Sequence, residues 1–356
     1  MRRAVYDTAP HELAVTLPMG EEVALEMVGP GSPWPAPLRP VVYLDQLHWI
    51  TLARSVWAPE KLAPPVREAA DRLIELARQR KICLPFSAGN LTEMTQMDGR
   101  RRRHLATMIL ELSRGWQMRN PIAVRGRELD AVLLGRDPRV IDAFTLQAGE
   151  VFAEGLKPVD APADFPRDWQ LWFKNMTAVS AMVAAMIEDK KISKAEGNEL
   201  ARRWADDHYR LALYLREQQS SKAEVRRASL TKVAYDLASE IATAAEAAGL
   251  DQAHLGSWIE VDFEADLTRM PYLARQHEVI HQRLSNADDH WEANDLTDIN
   301  YLSCAAAYAD VMVGEKKISE YLRRVQSRVP GGALVCRRLP EAVAHLEQTI
   351  GEPEKS

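Results

Sequence analysis

The strongest constraint on the fold is that short apolar runs of strand length lie toward the two ends of the chain and are not evident in its middle. Four such runs are present, at 41–44, 81–86, 310–313 and 333–336. Segments with helical spacing lie between them, and this alternation predicts an α/β unit with a parallel sheet. Residues 100–290 show helical periodicity without a fixed repeat. We therefore expect a large all-helical insertion that interrupts the α/β unit.

The remaining boundaries follow from local patterns. Residues 1–40 begin with alternating apolar and polar side chains, which predict a β-hairpin, and end in a Pro/Gly-rich linker. The two halves of the α/β core are then 41–99 and 291–350, and 351–356 are expected to form a disordered tail. Within the insertion, helices are predicted over 100–118, 139–155, 168–188, 193–219 and 222–248.

Bulk properties limit the class of protein. The net charge is −6 and the isoelectric point is about 5.9, so any binding of nucleic acid has to come from a local basic patch. Neither a signal peptide nor an apolar run of membrane-spanning length is apparent, and we expect a cytoplasmic protein without membrane contact. The cysteines Cys83, Cys304 and Cys336 lie in apolar runs, which predicts reduced, buried thiols and excludes a cysteine-based zinc site.

Acidic residues lie at the ends of several predicted elements. Asp45 ends the first strand, Glu93 lies early in the helix after the second run, and Glu315 follows the strand at 310–313. The carboxyl ends of parallel strands meet at one edge of a sheet, where ligands bind, so these three side chains are expected to lie together. Asp310 precedes its strand, and geometry alone does not place it in such a site.

Two further acids, Asp295 and Asp298, open a predicted helix and share one of its faces. Clustered carboxylates repel one another, and Mg²⁺ or Mn²⁺ relieves that repulsion because hard cations take oxygen ligands. Two such ions can position a water molecule and stabilise the leaving oxygen of a phosphodiester. The alternative is that both aspartates only stabilise the start of the helix.

Over 41–97 and 292–350 the chain resembles the PIN-like family of nucleases. The matching segments are Val41–Gln46, Leu84–Glu93, Asn294–Leu302 and Ala306–Lys316. The resemblance implies a three-layer α/β/α core with a central, mostly parallel sheet, a metal-binding acidic pocket and cleavage of RNA.

The resemblance also implies roles for individual acids. It makes Asp45 the first, Glu93 the second, Asp298 the third and Asp310 the fourth acid of the pocket. Asp295 is the competing choice for the third acid. The family often has Thr-x-Asp after the Asp310 strand, and this chain has Gly314-Glu315, so the last ligand is Glu315 or is missing.

These observations predict a metal-dependent endonuclease that hydrolyses RNA in preference to DNA with Mg²⁺ or Mn²⁺. Asp45, Asp298 and Asp310 would bind the first ion, and Glu93 and Glu315 would hold a second or orient the water. Analogy with the family suggests a toxin or defence effector with an antitoxin or defence-system protein as partner, and a homo-oligomer is compatible with the sequence. A PIN-like scaffold that binds nucleic acid or protein without cleaving it is the alternative.

A basic segment follows Glu93. Residues 99–140 contain ten arginines and four acids, and the run begins with Arg100, Arg101, Arg102 and Arg103. Guanidinium groups suit phosphate oxygens, so these four are predicted to bind nucleic acid; a solvated helix face or an acidic partner is the alternative. Four aromatic side chains are candidates either for stacking on bases or for the core: His48, Trp49, Trp57 and Trp116.

The segment His277-Glu278-Val279-Ile280-His281 fits the HExxH pattern of zinc proteases. The extended form of the motif is absent, because Leu284 and Ala287 occupy the places of its glycine and third histidine. A zinc metalloprotease on His277, Glu278 and His281 is therefore kept as an alternative, and an ordinary exposed helix is the favoured interpretation.

Overall fold

The computed structural model describes residues 3–18, 20–97, 99–151, 159–188 and 195–351. These residues form a mixed α/β fold in which helices predominate. Among them, no helix combines the length and the apolar character that a membrane span needs.

The regular elements are named in chain order. The strands are β1 (Arg3–Asp7), β2 (Glu12–Thr16), β3 (Glu22–Glu26), β4 (Val42–Leu44), β5 (Gln117–Met118), β6 (Phe144–Thr145), β7 (Val311–Val313) and β8 (Leu334–Cys336). The helices of the first half are α1 (Gln46–Trp57), α2 (Pro64–Arg78), α3 (Ala88–Met94), α4 (Gly99–Ser113), α5 (Pro121–Leu133) and α6 (Arg167–Ile187). Those of the second half are α7 (Ala195–Glu217), α8 (Lys222–Asp236), α9 (Ala238–Ala247), α10 (Gln252–Ser257), α11 (Phe263–Arg269), α12 (Pro271–Leu284), α13 (Ala293–Tyr308), α14 (Lys316–Val325) and α15 (Leu339–Gly351).

A small parallel sheet joins the two ends of the chain. Its strand order is β4-β7-β8, and Val42 of β4 pairs with Val311 of β7. The run at 81–86, predicted as a strand, contributes only the bridge between Cys83 and Val41 and the bridge from Phe86 to Gln117 of β5. The sheet therefore brings residues 42–44 and 311–313 side by side although the whole insertion lies between them in sequence.

Helices cover both faces of this sheet. Alternate strand residues such as Val42 and Val311 enter one apolar core with α1, α2 and α15, whereas Tyr43 and Met312 enter another with α13 and α14. All four of these side chains are at most 2% exposed. A strand that is buried on both faces has to be apolar at every position, which explains the uninterrupted apolar runs in the sequence.

A separate antiparallel sheet precedes the core. The predicted hairpin is present as β2 paired with β3, and β1, which the sequence analysis missed, adds a third strand. Glu26 at the end of β3 accepts hydrogen bonds from Arg39, Arg114 and the Trp116 indole. These contacts attach the sheet to the start of the insertion.

Helices predominate in the described part of residues 100–290, but the prediction of an all-helical insertion is wrong, because the pair β5 and β6 lies within it. The predicted helix at 139–155 is wrong over its described part, where Phe144–Thr145 instead pairs as β6 with β5. The helix α5 was missed, although Asn120 caps it and Pro121 opens it, because Gly126 interrupts its periodicity. The predicted helix at 222–248 is divided at Leu237 into α8 and α9. Residues of α5, α7–α9, α11 and α12 form a third apolar core.

Candidate functional site

Four of the predicted acids line one cavity at the carboxyl edge of the parallel sheet. Asp45 follows β4, Glu315 follows β7 after one residue, and Glu93 and Asp298 lie on α3 and α13. All four line a cavity of about 710 Å³. The expectation that acids at the carboxyl ends of adjacent parallel strands lie together agrees with this arrangement.

Asp45 is held in place by the start of α1. Its side chain accepts a hydrogen bond from the backbone N–H of Gln46 at 2.8 Å, and its own backbone N–H donates to the carbonyl of Val313 at 2.9 Å. The first contact caps the helix and the second links β4 to the end of β7. Burial raises the pKa of the Asp45 carboxyl, although the N–H of Gln46 opposes the shift.

Asp298 is the acid most affected by its neighbours. Burial, followed by repulsion from Glu315, Asp45 and Glu93, raises the pKa of its carboxyl to about 8. A carboxylate in this position is unfavourable near neutral pH unless a proton or a cation compensates its charge. The cavity therefore has a strong electrostatic preference for positive charge.

Glu315 lies directly before α14, and its side chain makes no capping hydrogen bond to that helix. Burial first, and then the carboxylates of Asp45 and Asp295, raise the pKa of Glu315, whereas Lys317 and Arg283 lower it. Glu93 is exposed at the rim on α3. The chain thus places Glu315 deeper in the cavity than Glu93.

Asp295 has a different role from Asp298, although the two share a helix. Its carboxylate accepts hydrogen bonds from Arg283 at 2.8 Å and from the backbone N–H of Glu292 at 2.6 Å, and Lys317 lies 3.4 Å away. Asp295 is 5% exposed and does not line the cavity. The choice between the two aspartates therefore falls on Asp298, and the inclusion of Asp295 among the metal ligands is corrected.

Asp310 lies at the opposite edge of the sheet. Its side chain accepts a hydrogen bond from the backbone N–H of Val41 at 2.7 Å, at the start of the pair formed by β4 and β7. A residue that precedes a parallel strand is separated from the carboxyl edge by the length of that strand. The placement of Asp310 in the pocket, which the resemblance implied, is therefore corrected.

The donor chemistry of the cavity suits a hard cation. Its four carboxylates offer only oxygen ligands, which Mg²⁺ and Mn²⁺ prefer. In the part of the chain that the structure describes, no three His, Cys, Asp or Glu side chains converge closely enough to enclose an ion. The suitability of the cavity for Mg²⁺ or Mn²⁺ therefore rests on its oxygen ligands and its negative charge.

Two walls of the cavity were not anticipated. Tyr301 lies one helical turn beyond Asp298 on α13, and a β-carbon at Gly89 would come within 3.2 Å of its ring. The spacing of three residues could have identified Tyr301. Asn198 and its neighbours on α7 form the other wall, and no local signal could have found them because only the tertiary fold brings the insertion to this edge.

The arginine run divides into different environments. Arg102 is 1% exposed and donates hydrogen bonds to the carbonyls of Ala185 and Met186 at the end of α6. It satisfies the last carbonyls of that helix, so its prediction as a nucleic-acid contact is corrected. Arg100 and Arg101 are exposed and line a second cavity of about 750 Å³, whereas Arg103 is exposed outside it.

The aromatic candidates divide in the same way. His48, Trp49 and Trp116 are at most 7% exposed and belong to the interior. Trp57 is 40% exposed at the end of α1, and its ring stacks on His104 with 4.4 Å between the centroids and 9° between the planes. Trp57 is thus the candidate that remains accessible to a ligand.

The HExxH histidines lie on a mostly buried helix, so the expectation of an ordinary exposed helix is wrong. His277 is 2% exposed, and its ring nitrogen Nε2 lies 3.0 Å from the hydroxyl of Ser229. The Nδ1 atom of His281 lies 3.4 Å from the same hydroxyl. Burial lowers the pKa of His277 to about 4 and also lowers the pKa of His281.

The glutamate of the motif is held between two cations. Glu278 is 4% exposed and accepts hydrogen bonds from Arg226 at 2.7 Å and from Arg328 at 2.9 Å. These ion pairs lower the pKa of its carboxyl against the effect of burial. A glutamate neutralised in this way is a structural anchor between α8, α12 and the segment after α14, and it is poorly suited to act as a general base.

Comparison with models of protein families, with curated protein sequences and with solved structures gives no match to this chain. The geometry and electrostatics of the acidic cavity are therefore the basis for a function of this chain.

Proposed function

We propose that the chain is a divalent-metal-dependent nuclease whose active site is the acidic cavity formed by Asp45, Glu93, Asp298 and Glu315. The observation that carries the proposal is the shared cavity at the carboxyl edge of β4 and β7, where burial and three neighbouring carboxylates raise the pKa of Asp298 to about 8. Folding brings these acids together from both ends of the chain at an electrostatic cost that a bound cation would offset.

The fold and substrate class rest partly on the sequence resemblance. A small parallel sheet with helices on both faces is compatible with a PIN-like three-layer α/β/α core, which we propose for 41–97 and 292–350. RNA is favoured over DNA because the resemblance implies it. The exposed arginines Arg100 and Arg101 add a local positive charge beside an acidic active site.

Each acid has a proposed task. Asp45 and Asp298 would hold the first cation, since both are recessed and the carboxylate of Asp45 is among those that repel Asp298. Glu315 and Glu93 would hold a second cation or orient the attacking water. When bound, Mg²⁺ or Mn²⁺ supplies charge stabilisation and activates water for attack on phosphorus. No protein nucleophile is required.

The proposal is tested by cleavage of labelled single-stranded RNA, tRNA and single-stranded DNA with Mn²⁺ or Mg²⁺. We expect cutting by the wild-type protein and its loss, by at least about 100-fold, in Asp45→Asn and Asp298→Asn. Asp310→Asn is the matched control, because the same substitution at the far edge of the sheet should leave cutting unchanged.

Calorimetric titration with Mn²⁺ provides an independent readout. The wild-type protein should bind Mn²⁺, and Asp298→Asn should bind it at least about tenfold more weakly. Binding of RNA without metal binding or cutting would replace the nuclease with the non-catalytic scaffold. Cutting that survives both substitutions would place the active site elsewhere.

A further inference from the structure

A cationic cleft lies beside the acidic cavity, between α1 and α4. It has a volume of about 750 Å³ and is lined by four exposed cations: Arg54, Lys61, Arg100 and Arg101. Within the described ranges, none of these four has a carboxylate partner within 4.0 Å, whereas most other arginines of the chain are ion-paired. Cations left without partners in a concave surface attract an anionic ligand.

The cleft also presents an aromatic platform. Trp57 is 40% exposed, and its parallel contact with His104 fixes the plane of the indole. Burial, and then Arg100 and Arg103, lower the pKa of His104, so the imidazole is neutral near pH 7. Apolar side chains such as Ile50 and Leu105 form the floor beneath the rings. A flat ring over an apolar floor is suited to a nucleobase.

One helix, α1, contributes side chains to the wall of both the cationic cleft and the acidic cavity. On α1, Leu47 faces the acidic cavity, and Ile50, Arg54 and Trp57 follow at helical spacing along the cationic cleft. These positions lie on one stripe of the helix, because residues three and four apart are neighbours.

Two successive helices lie on the other side of α1. Gly89, Thr92 and Glu93 on α3 face the acidic cavity, and Arg100 and His104 on α4 line the cationic cleft. The helix α1 packs against both α3 and α4. The two cavities thus follow one another along α1, and we call the surface that they make together the α1–α4 trough.

We infer that the α1–α4 trough binds a single-stranded polynucleotide, with a base on Trp57 and phosphates on Arg54, Arg100 and Arg101. This inference rests on the proposed function, because the strand would run from the cations to the acidic cavity. The distance along α1, which has 12 residues, is about 18 Å, a path of a few nucleotides. A duplex is not suited to the trough, since its bases are already stacked on one another.

Binding is measured by fluorescence anisotropy of a short labelled single-stranded RNA in EDTA, so that cleavage cannot interfere. Arg100→Ala/Arg101→Ala should weaken binding and reduce the slope of log affinity against log salt by about 1.4, the value for two phosphate contacts on a single strand. Arg103→Ala is the matched control, because Arg103 is exposed on the same helix outside the trough, and it should change the slope least.

Substitutions of Trp57 test whether a base stacks on its ring. Trp57→Leu should weaken binding by roughly tenfold at an unchanged salt slope, and Trp57→Phe should restore most of the affinity because it keeps a stacking ring. Circular dichroism of each variant confirms that the fold is retained. Equal affinity for a duplex of the same sequence, or equal displacement by polyglutamate, would overturn the assignment to a single strand.

Cleavage separates this inference from the proposed function. If the protein cuts RNA and the Arg100/Arg101 and Trp57 variants cut it with unchanged KM, the trough is wrong and the nuclease stands. If neither the wild-type protein nor any variant cuts RNA, and these substitutions still abolish RNA binding, the α1–α4 trough is confirmed as a binding site and the proposed nuclease activity is wrong.

Discussion

The guanidinium of Arg283 donates to the carboxylate of Asp295 at 2.8 Å, and this buried ion pair separates the roles of the two aspartates that open α13. Arg283 is fully buried, also pairs with Asp289 at 2.7 Å, and lies 4.0 Å from the ring centroid of Trp291. Asp298, one turn later, faces other carboxylates instead. A buried cation compensates the charge of Asp295, whereas neighbouring carboxylates repel a charge on Asp298.

The same substitution at these two positions should have opposite effects on stability. Asp295→Asn leaves Arg283 with one fewer charged partner and should lower the free energy of unfolding by roughly 2–3 kcal/mol. Asp298→Asn removes a carboxyl whose charge its neighbours repel. It should raise the free energy of unfolding at pH 8 by at least about 1 kcal/mol, the equivalent of one pKa unit. Urea unfolding in EDTA measures both. A loss of stability in Asp298→Asn would contradict the electrostatic account.

The contribution of Asp298 to the stability of the metal-free protein should fall as pH rises from about 4 to about 8. The pKa of Asp298 is raised to about 8 in the folded state, so the folded protein retains a proton that the unfolded chain releases. This contribution is fully present below the unfolded pKa and is lost as pH passes the folded value. Glu128 adds a shift of the same sign, because burial raises its pKa to about 7. Thermal unfolding of wild type minus that of Asp298→Asn isolates the share of Asp298.

Divalent cations should reverse this trend. A cation competes with the proton on Asp298, so Mn²⁺ should stabilise the protein increasingly as pH rises toward about 8. Melting temperatures with Mn²⁺ and with EDTA, measured from pH 5 to pH 9, test the coupling. Stabilisation by Mn²⁺ that does not vary with pH, or that persists in Asp298→Asn, would place the ion at another site.

Glu128 should be essential to the junction between the insertion and the core. Its fully buried carboxyl accepts hydrogen bonds from the backbone N–H groups of Tyr272 and Leu273, at 2.6 and 2.9 Å, and from the hydroxyl of Tyr308. It thereby satisfies the buried backbone N–H groups at the start of α12, which have no partner within the helix. Glu128→Ala should lower the free energy of unfolding by roughly 3 kcal/mol in urea titrations. The control Asp130→Ala, at a half-buried position on the same helix, should change the free energy of unfolding by less than about 0.5 kcal/mol.

The HExxH segment should act in stability and not in metal chemistry. Glu278→Gln weakens two ion pairs, with Arg226 and Arg328, and should lower the free energy of unfolding by roughly 1–2 kcal/mol. His281→Ala should leave RNA cleavage and zinc content unchanged. Elemental analysis of the purified protein provides the second measurement. Stoichiometric zinc that disappears in His281→Ala would instead restore the protease hypothesis.

The sequence determined those features that depend on local chemistry. The apolar runs predicted β4, β7 and β8, because strands covered on both faces cannot carry polar side chains. Ser87 is a residue type that caps helices, and it forms a reciprocal capping box with Asn90 at the start of α3. The convergence of Asp45 and Glu315 also followed from the sequence, since acids after adjacent parallel strands meet at one edge.

Only the tertiary structure decided which charged side chains are neutralised by a buried partner and which face a cavity. Asp295 and Asp298 lie one turn apart on the same helix. Arg283, which comes from another helix, neutralises Asp295, whereas other carboxylates surround Asp298. Four consecutive arginines look alike in sequence, yet one of them, Arg102, is turned inward to the end of α6. The partner of each charged side chain comes from a distant part of the chain, so the residues next to it in sequence cannot identify that partner.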